Sequence, residues 1–402
     1  MVFAIGLLLI ARNHARANRI TNAENVPQEH GQVAYFVCKS EWYLLQARGN
    51  NFIVRSWKAN TRNEQPQFVL SNGDIWCRNY QNNHDYILIP FASKTLKVPG
   101  SHPGSWPIPV NFGFKVIVGG LNFRYLFHEK NGRWSRTGLV EAPRSRYFDY
   151  FSLSNVSAGG RLVCGMASKI FNEEDTIHFP YVQDSHTGQL FITSACARYL
   201  TDLSLHQNFN TSLAYPEGDN LMFFSQDGSY LYVLPSPDGG NLEPKPTIYR
   251  LDESSKSLTS KKFDPILFAG QKNSGRMSRL PARLFQPNQI WYDNNGLGLL
   301  AVLARRILIV REGDNHQLVA YEITGRYTEV MDSANSISVI YNSKLRLMIL
   351  YYRKDRTHEV LYIYSIRNGE TILASQMVLT LAKNPGDARF IGVPTDDSYF
   401  LK

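Results

Sequence analysis

A basic segment in the second half of the sequence carries the side chains best suited to binding chemistry. Residues 272–283, KNSGRMSRLPAR, contain Lys272, Arg276, Arg279 and Arg283. A guanidinium group holds sulfate, phosphate or carboxylate through paired, charge-assisted hydrogen bonds. We expect this segment to be a loop that binds an anionic ligand, and the alternative is an ordinary solvated loop.

A second patch mixes cations with aromatic rings. Arg133, Trp134 and Arg136 are followed by Arg144 and Arg146. An aromatic ring can stack on a sugar or a base while a neighbouring guanidinium pairs with a charge on the same ligand. We expect a ligand-binding patch here, and the alternative is a sheet edge that is rich in aromatic residues.

No established catalytic pattern accompanies these two patches. The sequence lacks G-x-S-x-G, H-E-x-x-H, a P-loop and a G-x-G-x-x-G that opens a helix. His128 and His358 each precede a glutamate in an isolated pair, and Asp293 begins D-N-N-G without the spaced oxygen ligands of a calcium loop, which predicts a β-turn. The sequence therefore predicts no catalytic residue, no cofactor and no metal site, and it favours a protein without enzymatic activity.

The N-terminus predicts export from the cytosol. The run from Val2 to Ala11 is apolar, and Ala15 and Ala17 supply the small residues that a signal peptidase requires. We predict a signal peptide over residues 1–17, an N-terminal extension over residues 18–30 and a secreted protein. The alternative is a cytoplasmic protein in which this run is a buried strand. Because the run is about half of the ~20 residues that span a bilayer, we predict no transmembrane segment.

Two further features bear on the compartment. Asn155 and Asn210 each begin an N-x-S/T triplet, which is a glycosylation acceptor in a secreted protein. The sequence also has an even set of cysteines, Cys38, Cys77, Cys164 and Cys196. The four thiols can form two disulfides, as a secreted protein allows, or remain free and buried like small apolar side chains.

The composition indicates a large, sheet-rich protein. Of the 402 residues, 43% are hydrophobic and 19% are charged, with 22 Tyr, 22 Phe and 6 Trp. Aromatic and β-branched residues fill the apolar runs, which favours strands over helices and excludes a disordered chain. The net charge of +9 attracts polyanions in general, although the cations are scattered along the chain.

A repeat organises the strands. From residue 31 onward, short apolar runs alternate with turn residues, which is typical of sandwiches, barrels and propellers. Seven turns that precede an apolar strand mark the repeat, at Gly31, Gly73, Gly132, Gly188, Gly228, Gly296 and Lys344. Their mean spacing of about 52 residues is the size of a four-stranded propeller blade.

The best-formed unit lies near the end of the sequence. Four strands are predicted there, over residues 336–341, 345–352, 359–366 and 371–378. We therefore predict an all-β fold, a single β-propeller domain over residues 31–402. It has about seven four-stranded antiparallel blades, with six as the alternative count.

The fold leads to a functional expectation. Propellers present loops on a rigid scaffold, and the Pro/Gly-rich segments 99–109 and 235–246 are candidates beside the basic segment. We expect a secreted, non-catalytic monomer that binds a protein or an anionic glycan, with nucleic acid not favoured. One alternative is a propeller glycoside hydrolase whose acids come from separate blades and leave no local motif. The other is an intracellular scaffold similar to WD-repeat proteins.

Overall fold

The fold was obtained as a computed structural model. It describes residues 17–21, 31–38, 41–48, 51–58, 64–70, 74–79, 81–82, 84–89, 94–98, 106–110, 115–119, 124–130, 133–141, 143, 148–170, 176–201, 220–234, 246–262, 266–268, 279–280, 285, 287–293, 295–303, 305–333, 337–353, 358–367, 370–380, 389–392 and 399–400.

Strands dominate the described chain. In chain order they are β1 (Ala17–Thr21), β2 (Gly31–Cys38), β3 (Glu41–Arg48), β4 (Asn51–Lys58), β5 (Glu64–Val69), β6 (Ile75–Asn79), β7 (His84–Ile89), β8 (Lys94–Lys97), β9 (Trp106–Val110), β10 (Lys115–Gly119), β11 (Arg124–Lys130), β12 (Arg133–Gly138), β13 (Tyr150–Phe151), β14 (Asn155–Val156), β15 (Leu162–Ile170), β16 (Thr176–Asp184), β17 (Leu190–Thr193), β18 (Leu221–Phe224), β19 (Tyr230–Leu234), β20 (Thr247–Asp252), β21 (Ser257–Lys262), β22 (Ile266–Phe268), β23 (Arg279–Leu280), β24 (Pro287–Asp293), β25 (Gly296–Leu303), β26 (Arg306–Glu312), β27 (Leu318–Glu322), β28 (Thr324–Gly325), β29 (Ile337–Asn342), β30 (Leu347–Arg353), β31 (His358–Arg367), β32 (Glu370–Thr380), β33 (Arg389–Gly392) and β34 (Tyr399–Phe400). The helices are α1 (Ser194–Thr201) and α2 (Tyr327–Ser333), together with a 3-10 turn at Asp314–His316. Within the described ranges, neither helix has the length and apolar character needed to cross a bilayer.

The strands form consecutive antiparallel groups, which we number in chain order. They are group 1 (β2–β4 with β33), group 2 (β5–β8), group 3 (β9–β12), group 4 (β13–β17), group 5 (β18–β21), group 6 (β24–β27) and group 7 (β29–β32). Groups 4 and 5 share one sheet because β17 pairs in parallel with β21, so the described strands make seven groups but six sheets. The predicted count of about seven blades, or six, stays a prediction.

The apolar core lies between groups. One cluster joins group 5 to group 6 through Phe223 and Leu299, and another joins group 6 to group 7 through Leu300 and Met348. Such side chains face a neighbouring sheet on each side, which is why the middle strands are apolar on both faces. Burial of this kind is the main source of stability for a fold in which each group packs on the next.

The last group also packs on the first. Val33 and Leu45 of group 1 share a cluster with Ile349 and Ile363 of group 7, and all four side chains are buried. Groups that pack in sequence and close end to end form a propeller. The predicted all-β propeller class is confirmed.

The thiols correct one expectation. Cys77, Cys164 and Cys196 are buried thiols, and none of the three belongs to a disulfide; the side chain of Cys38 lies outside the described residues. Burial raises the pKa of Cys196 to about 12 and also raises that of Cys164, which keeps both thiols neutral. The prediction of a disulfide framework is not supported.

The predicted signal peptide lies outside the described residues except at its end. Ala17 begins β1, which pairs with β32 of group 7 in the register Ala17↔Leu379. Cleavage after Ala17 would leave four of the five residues of this strand in place, Asn18 to Thr21. Export therefore stays a prediction from the sequence.

Candidate active site

A glutamate and a histidine meet where β26 turns into β27. Nδ1 of His316 lies 2.6 Å from Oε1 of Glu312. The side chain of Glu312 is 9% exposed, whereas that of His316 is 30% exposed. A carboxylate at Nδ1 holds the imidazole in the tautomer that leaves a lone pair on Nε2, which makes Nε2 of this partly exposed side chain the basic atom.

The neighbouring group holds this glutamate in place. The backbone N–H of Gln226 donates to Glu312 Oε2 at 3.0 Å, and the hydroxyl of Tyr232 lies 3.0 Å from Oε1. Burial raises the pKa of Tyr232, with the nearby Glu312 adding to the effect, so the phenol keeps its proton and can donate it. Group 5 thus positions a carboxylate that belongs to group 6.

The turn that carries the histidine is strained. Asn315 and His316 adopt φ values of 58° and 60°, which belong to the left-handed region that favours glycine. The 3.4 Å hydrogen bond from Lys261 Nζ to the Asn315 carbonyl oxygen holds the turn from group 5. The Tyr232 hydroxyl also lies 2.9 Å from the His316 carbonyl oxygen, so its one proton is shared between this oxygen and Glu312. Non-glycine residues in this region occur often at functional sites, because the strain must be supported by the surrounding structure.

Two residues of group 5 surround the imidazole. The ring of Tyr230 lies 4.0 Å from that of His316, between ring centroids. Burial alone would raise the pKa of Asp227, but hydrogen bonds from Ser225 and Ser229 outweigh it and lower the pKa. Asp227 is therefore a carboxylate near neutral pH and is unsuited to donate a proton.

The described residues contain no group of three His, Cys, Asp or Glu side chains that could hold a metal.

A serine–histidine contact lies in group 4. Oγ of Ser168 and Nδ1 of His178 are 2.7 Å apart across β15 and β16. Both side chains are buried, at 0% and 6% exposure, so no substrate reaches the hydroxyl in this conformation. The pair therefore supports the sheet, and Glu312 with His316 is the better candidate for catalysis.

The predicted basic loop is described at one residue. Arg279 begins β23, which pairs with β22 at the outer edge of the sheet of group 6. Lys272, Arg276 and Arg283 lie outside the described residues. Anion binding by this loop stays a prediction.

The second predicted patch lies at a sheet edge. Arg133, Trp134 and Arg136 belong to β12, the edge strand of group 3, and Arg144 and Arg146 lie outside the described residues. The exposed guanidinium of Arg136 stands 4.6 Å from the centre of a tyrosine ring in the adjacent strand, which is a cation–π contact within the sheet. Ligand binding at this patch stays a prediction.

The glycosylation prediction needs correction at one of its two sites. Asn155 is 1% exposed, and its Nδ2 donates to the Met222 carbonyl oxygen of the next group at 2.7 Å. A glycan needs an open asparagine side chain, so the folded protein does not accept one here. Asn210 lies outside the described residues.

The D-N-N-G segment is a hairpin turn, as predicted. Asp293 pairs with Gly296 at the end of β24 and β25. Its carboxylate accepts two hydrogen bonds from Arg311, at 2.9 and 2.8 Å. Burial would raise the pKa of Asp293, but these bonds outweigh it and lower the pKa, which makes this carboxylate a structural anchor.

Comparisons with known proteins found solved structures that are similar to this chain but no family. No protein-family model matches the chain, and no curated protein matches it. A periplasmic gluconolactonase of Pseudomonas aeruginosa is 11% identical, with a TM-score of 0.43 over 90% of this chain and 100% of that one. A protein from Bacteroides uniformis described as a 6-phosphogluconolactonase is 12% identical, with a TM-score of 0.44 over 89% of this chain and 99% of that one. The tricorn protease is 10% identical with a TM-score of 0.40, and the match covers 90% of this chain but 36% of the protease.

The site geometry changes the functional prediction. The described residues include a glutamate–histidine pair whose carboxylate orients the imidazole, an arrangement typical of catalytic sites. The prediction of a non-catalytic binding function was therefore wrong, whereas secretion stays a prediction. The enzyme alternative was a propeller glycoside hydrolase, and the glutamate–histidine pair agrees better with an enzyme than with a protein that only binds.

Proposed function

We propose that the chain is a propeller hydrolase in which His316 is the general base. The observation that carries the proposal is the 2.6 Å contact between Glu312 and Nδ1 of His316, which orients a partly exposed imidazole and leaves Nε2 without this carboxylate as a partner. In the proposed step, Nε2 takes a proton from a water molecule as the water oxygen adds to the acyl carbon of the substrate. The imidazolium, stabilised by Glu312, then returns the proton to the leaving oxygen.

The chemistry of the site favours an ester or a lactone as substrate. Acyl hydrolysis needs a base that activates water, which His316 supplies. Glycoside hydrolysis also needs a carboxylic acid that is protonated at neutral pH, and therefore has a raised pKa. Beside His316, the pKa of Asp227 is lowered instead. The two-carboxylate glycosidase mechanism thus fits this site less well than base catalysis.

The proposal is tested with the purified chain on uncharged esters and on a sugar lactone, with acid release measured at constant pH. We expect His316→Gln to lower kcat/KM by roughly 10²- to 10⁴-fold, the usual contribution of a general base. His186→Gln is the matched control, since His186 lies in an exposed turn of group 4. If the wild-type chain hydrolyses neither the esters nor the lactone, the proposal is refuted.

A scaffold similar to WD-repeat proteins is a second candidate. It is favoured by the three buried thiols, which suit a reducing compartment. Intact-mass measurement with N-terminal sequencing separates the compartments. A mature start at Asn18 supports export, whereas an intact Met1 in a chain without hydrolase activity supports the intracellular scaffold.

A further inference from the structure

Arg124 is a buried cation at the junction of groups 3 and 4. Its side chain is 1% exposed, and its guanidinium donates to Oε1 of Gln183 and, at 2.6 Å, to the hydroxyl of Tyr181. Its Nε–H has no hydrogen-bond partner among the described residues. Both of its partners are uncharged groups, which satisfy hydrogen bonds but do not balance a positive charge.

The acidic groups nearest to the guanidinium are neutral. Burial raises the pKa of Tyr181 to about 12, and burial also raises the pKa of Cys164, so neither the phenol nor the thiol ionises at neutral pH. The hydroxyl of Tyr181 is also committed as a donor to the Ser152 carbonyl oxygen at 2.5 Å. No carboxylate in the described ranges forms an ion pair with Arg124.

A buried charge of this kind requires a counter-charge. Removing an ion from water carries a penalty of several kcal/mol unless an opposite charge compensates it. A water molecule could accept the Nε–H but would not supply negative charge. An anion that accepts the Nε–H would supply both, and the chain's net charge of +9 favours its approach.

We propose that Arg124 is the core of an internal anion site that holds one small monovalent anion, a halide or a carboxylate group, at the junction of groups 3 and 4. The anion would accept the Nε–H, while Tyr181 and Gln183 keep the two Nη groups in place. Because Arg124 lies on β11 and Tyr181 and Gln183 lie on β16, the bound anion would tie one group to the next. The site is separate from His316 and does not depend on the proposed hydrolase activity.

The test is thermal unfolding of the full chain at constant ionic strength, with chloride or formate exchanged for bulky isethionate. We expect Tm to rise by at least about 2 °C between about 10 mM and about 500 mM chloride, as ligand linkage requires, and formate to act likewise. Arg124→Gln should abolish the anion dependence, whereas Arg250→Gln, at an exposed arginine of group 5, should keep it. A Tm that is equal in the three anions shows that the chain itself supplies the counter-charge, and it overturns the proposal.

A direct measurement covers the case in which Arg124→Gln does not fold. Bound chloride broadens the chlorine NMR signal of the bulk salt, and the wild-type chain should produce broadening that formate displaces. Arg250→Gln should produce the same broadening. If formate displaces none of the broadening in the wild-type chain, the site does not exist.

Discussion

Asn342 donates a hydrogen bond of 3.0 Å from Nδ2 to the carbonyl oxygen of Val33, 309 residues earlier in the sequence. Both residues are fully buried, and they join group 7 to group 1. A buried donor and acceptor can be satisfied here only if the two ends of the propeller meet, so this bond is a signature of ring closure.

Removal of this bond should destabilise the whole domain. We expect Asn342→Ala to lower the free energy of unfolding by about 1–3 kcal/mol, because the Val33 carbonyl oxygen is left buried without its donor. Asn295→Ala, at an exposed turn, is the control and should change it by less than about 0.5 kcal/mol. Urea unfolding measures both variants, and equal effects would contradict closure through this bond.

Asp85 should make stability depend on pH. Burial raises its pKa from 3.8 to about 6, and the guanidinium of Arg78, 3.8 Å away, only partly opposes the effect. Between about pH 4 and pH 6, the carboxyl group of Asp85 is therefore protonated in the folded chain but ionised in the unfolded chain. The contribution of Asp85 to stability is therefore largest at about pH 4 and falls as pH rises toward 6, by up to about 3 kcal/mol.

Asp85→Asn separates this effect from the other titrating groups. The amide cannot ionise, so the fall in the free energy of unfolding between pH 4 and 6 should be smaller in the variant than in the wild type. The measurement is urea unfolding at a series of pH values. Parallel profiles for the two proteins would assign the dependence to other groups.

Gly298 should tolerate no larger residue. A Cβ at this position would overlap the indole ring of Trp291, which is itself fully buried. We expect Gly298→Ala to destabilise the chain by about 1–3 kcal/mol through overpacking. Gly138→Ala is the matched control, because a Cβ there meets nothing within 4 Å. A neutral Gly298→Ala would show that Trp291 packs less closely on β25 within group 6 than described.

The thiols should react only after unfolding. Cys77, Cys164 and Cys196 are buried, and thiolates are the reactive form, so a thiol reagent should label none of these three in the native state. Mass spectrometry of peptides should find all three labelled in denaturant without reductant. Labelling that requires a reductant would restore the disulfide prediction.

Much of the architecture could be predicted from the sequence. The four strands of group 7 were expected over residues 336–378, and β29 to β32 occupy Ile337–Thr380 with similar limits. Strong turn residues such as Asn342 separate apolar runs there, so local pattern and tertiary packing agree. The short helix α2, at Tyr327–Ser333, was missed because seven residues carry little periodic signal.

The candidate site could not be predicted in the same way. Glu312 and His316 are four residues apart in a hairpin, and this spacing brings side chains together by itself only in a helix. Their contact depends on the left-handed backbone at residues 315 and 316. Tyr232, which positions Glu312, is 80 residues away, so only the packing of groups 5 and 6 brings it near. The His-Glu pairs that the sequence shows, such as the one at His128, are adjacent residues and do not indicate the Glu312–His316 contact.

The proposed hydrolase activity depends on His316 as the general base. The most direct measurement is the pH dependence of kcat/KM for an uncharged ester in the wild-type chain and in His316→Gln. If His316 is the general base, kcat/KM of the wild-type chain rises with pH as one group deprotonates. In His316→Gln, kcat/KM should fall by roughly 10²- to 10⁴-fold, and this pH dependence should disappear. A His316→Gln variant with the wild-type kcat/KM and the same pH profile would show that His316 is not the base.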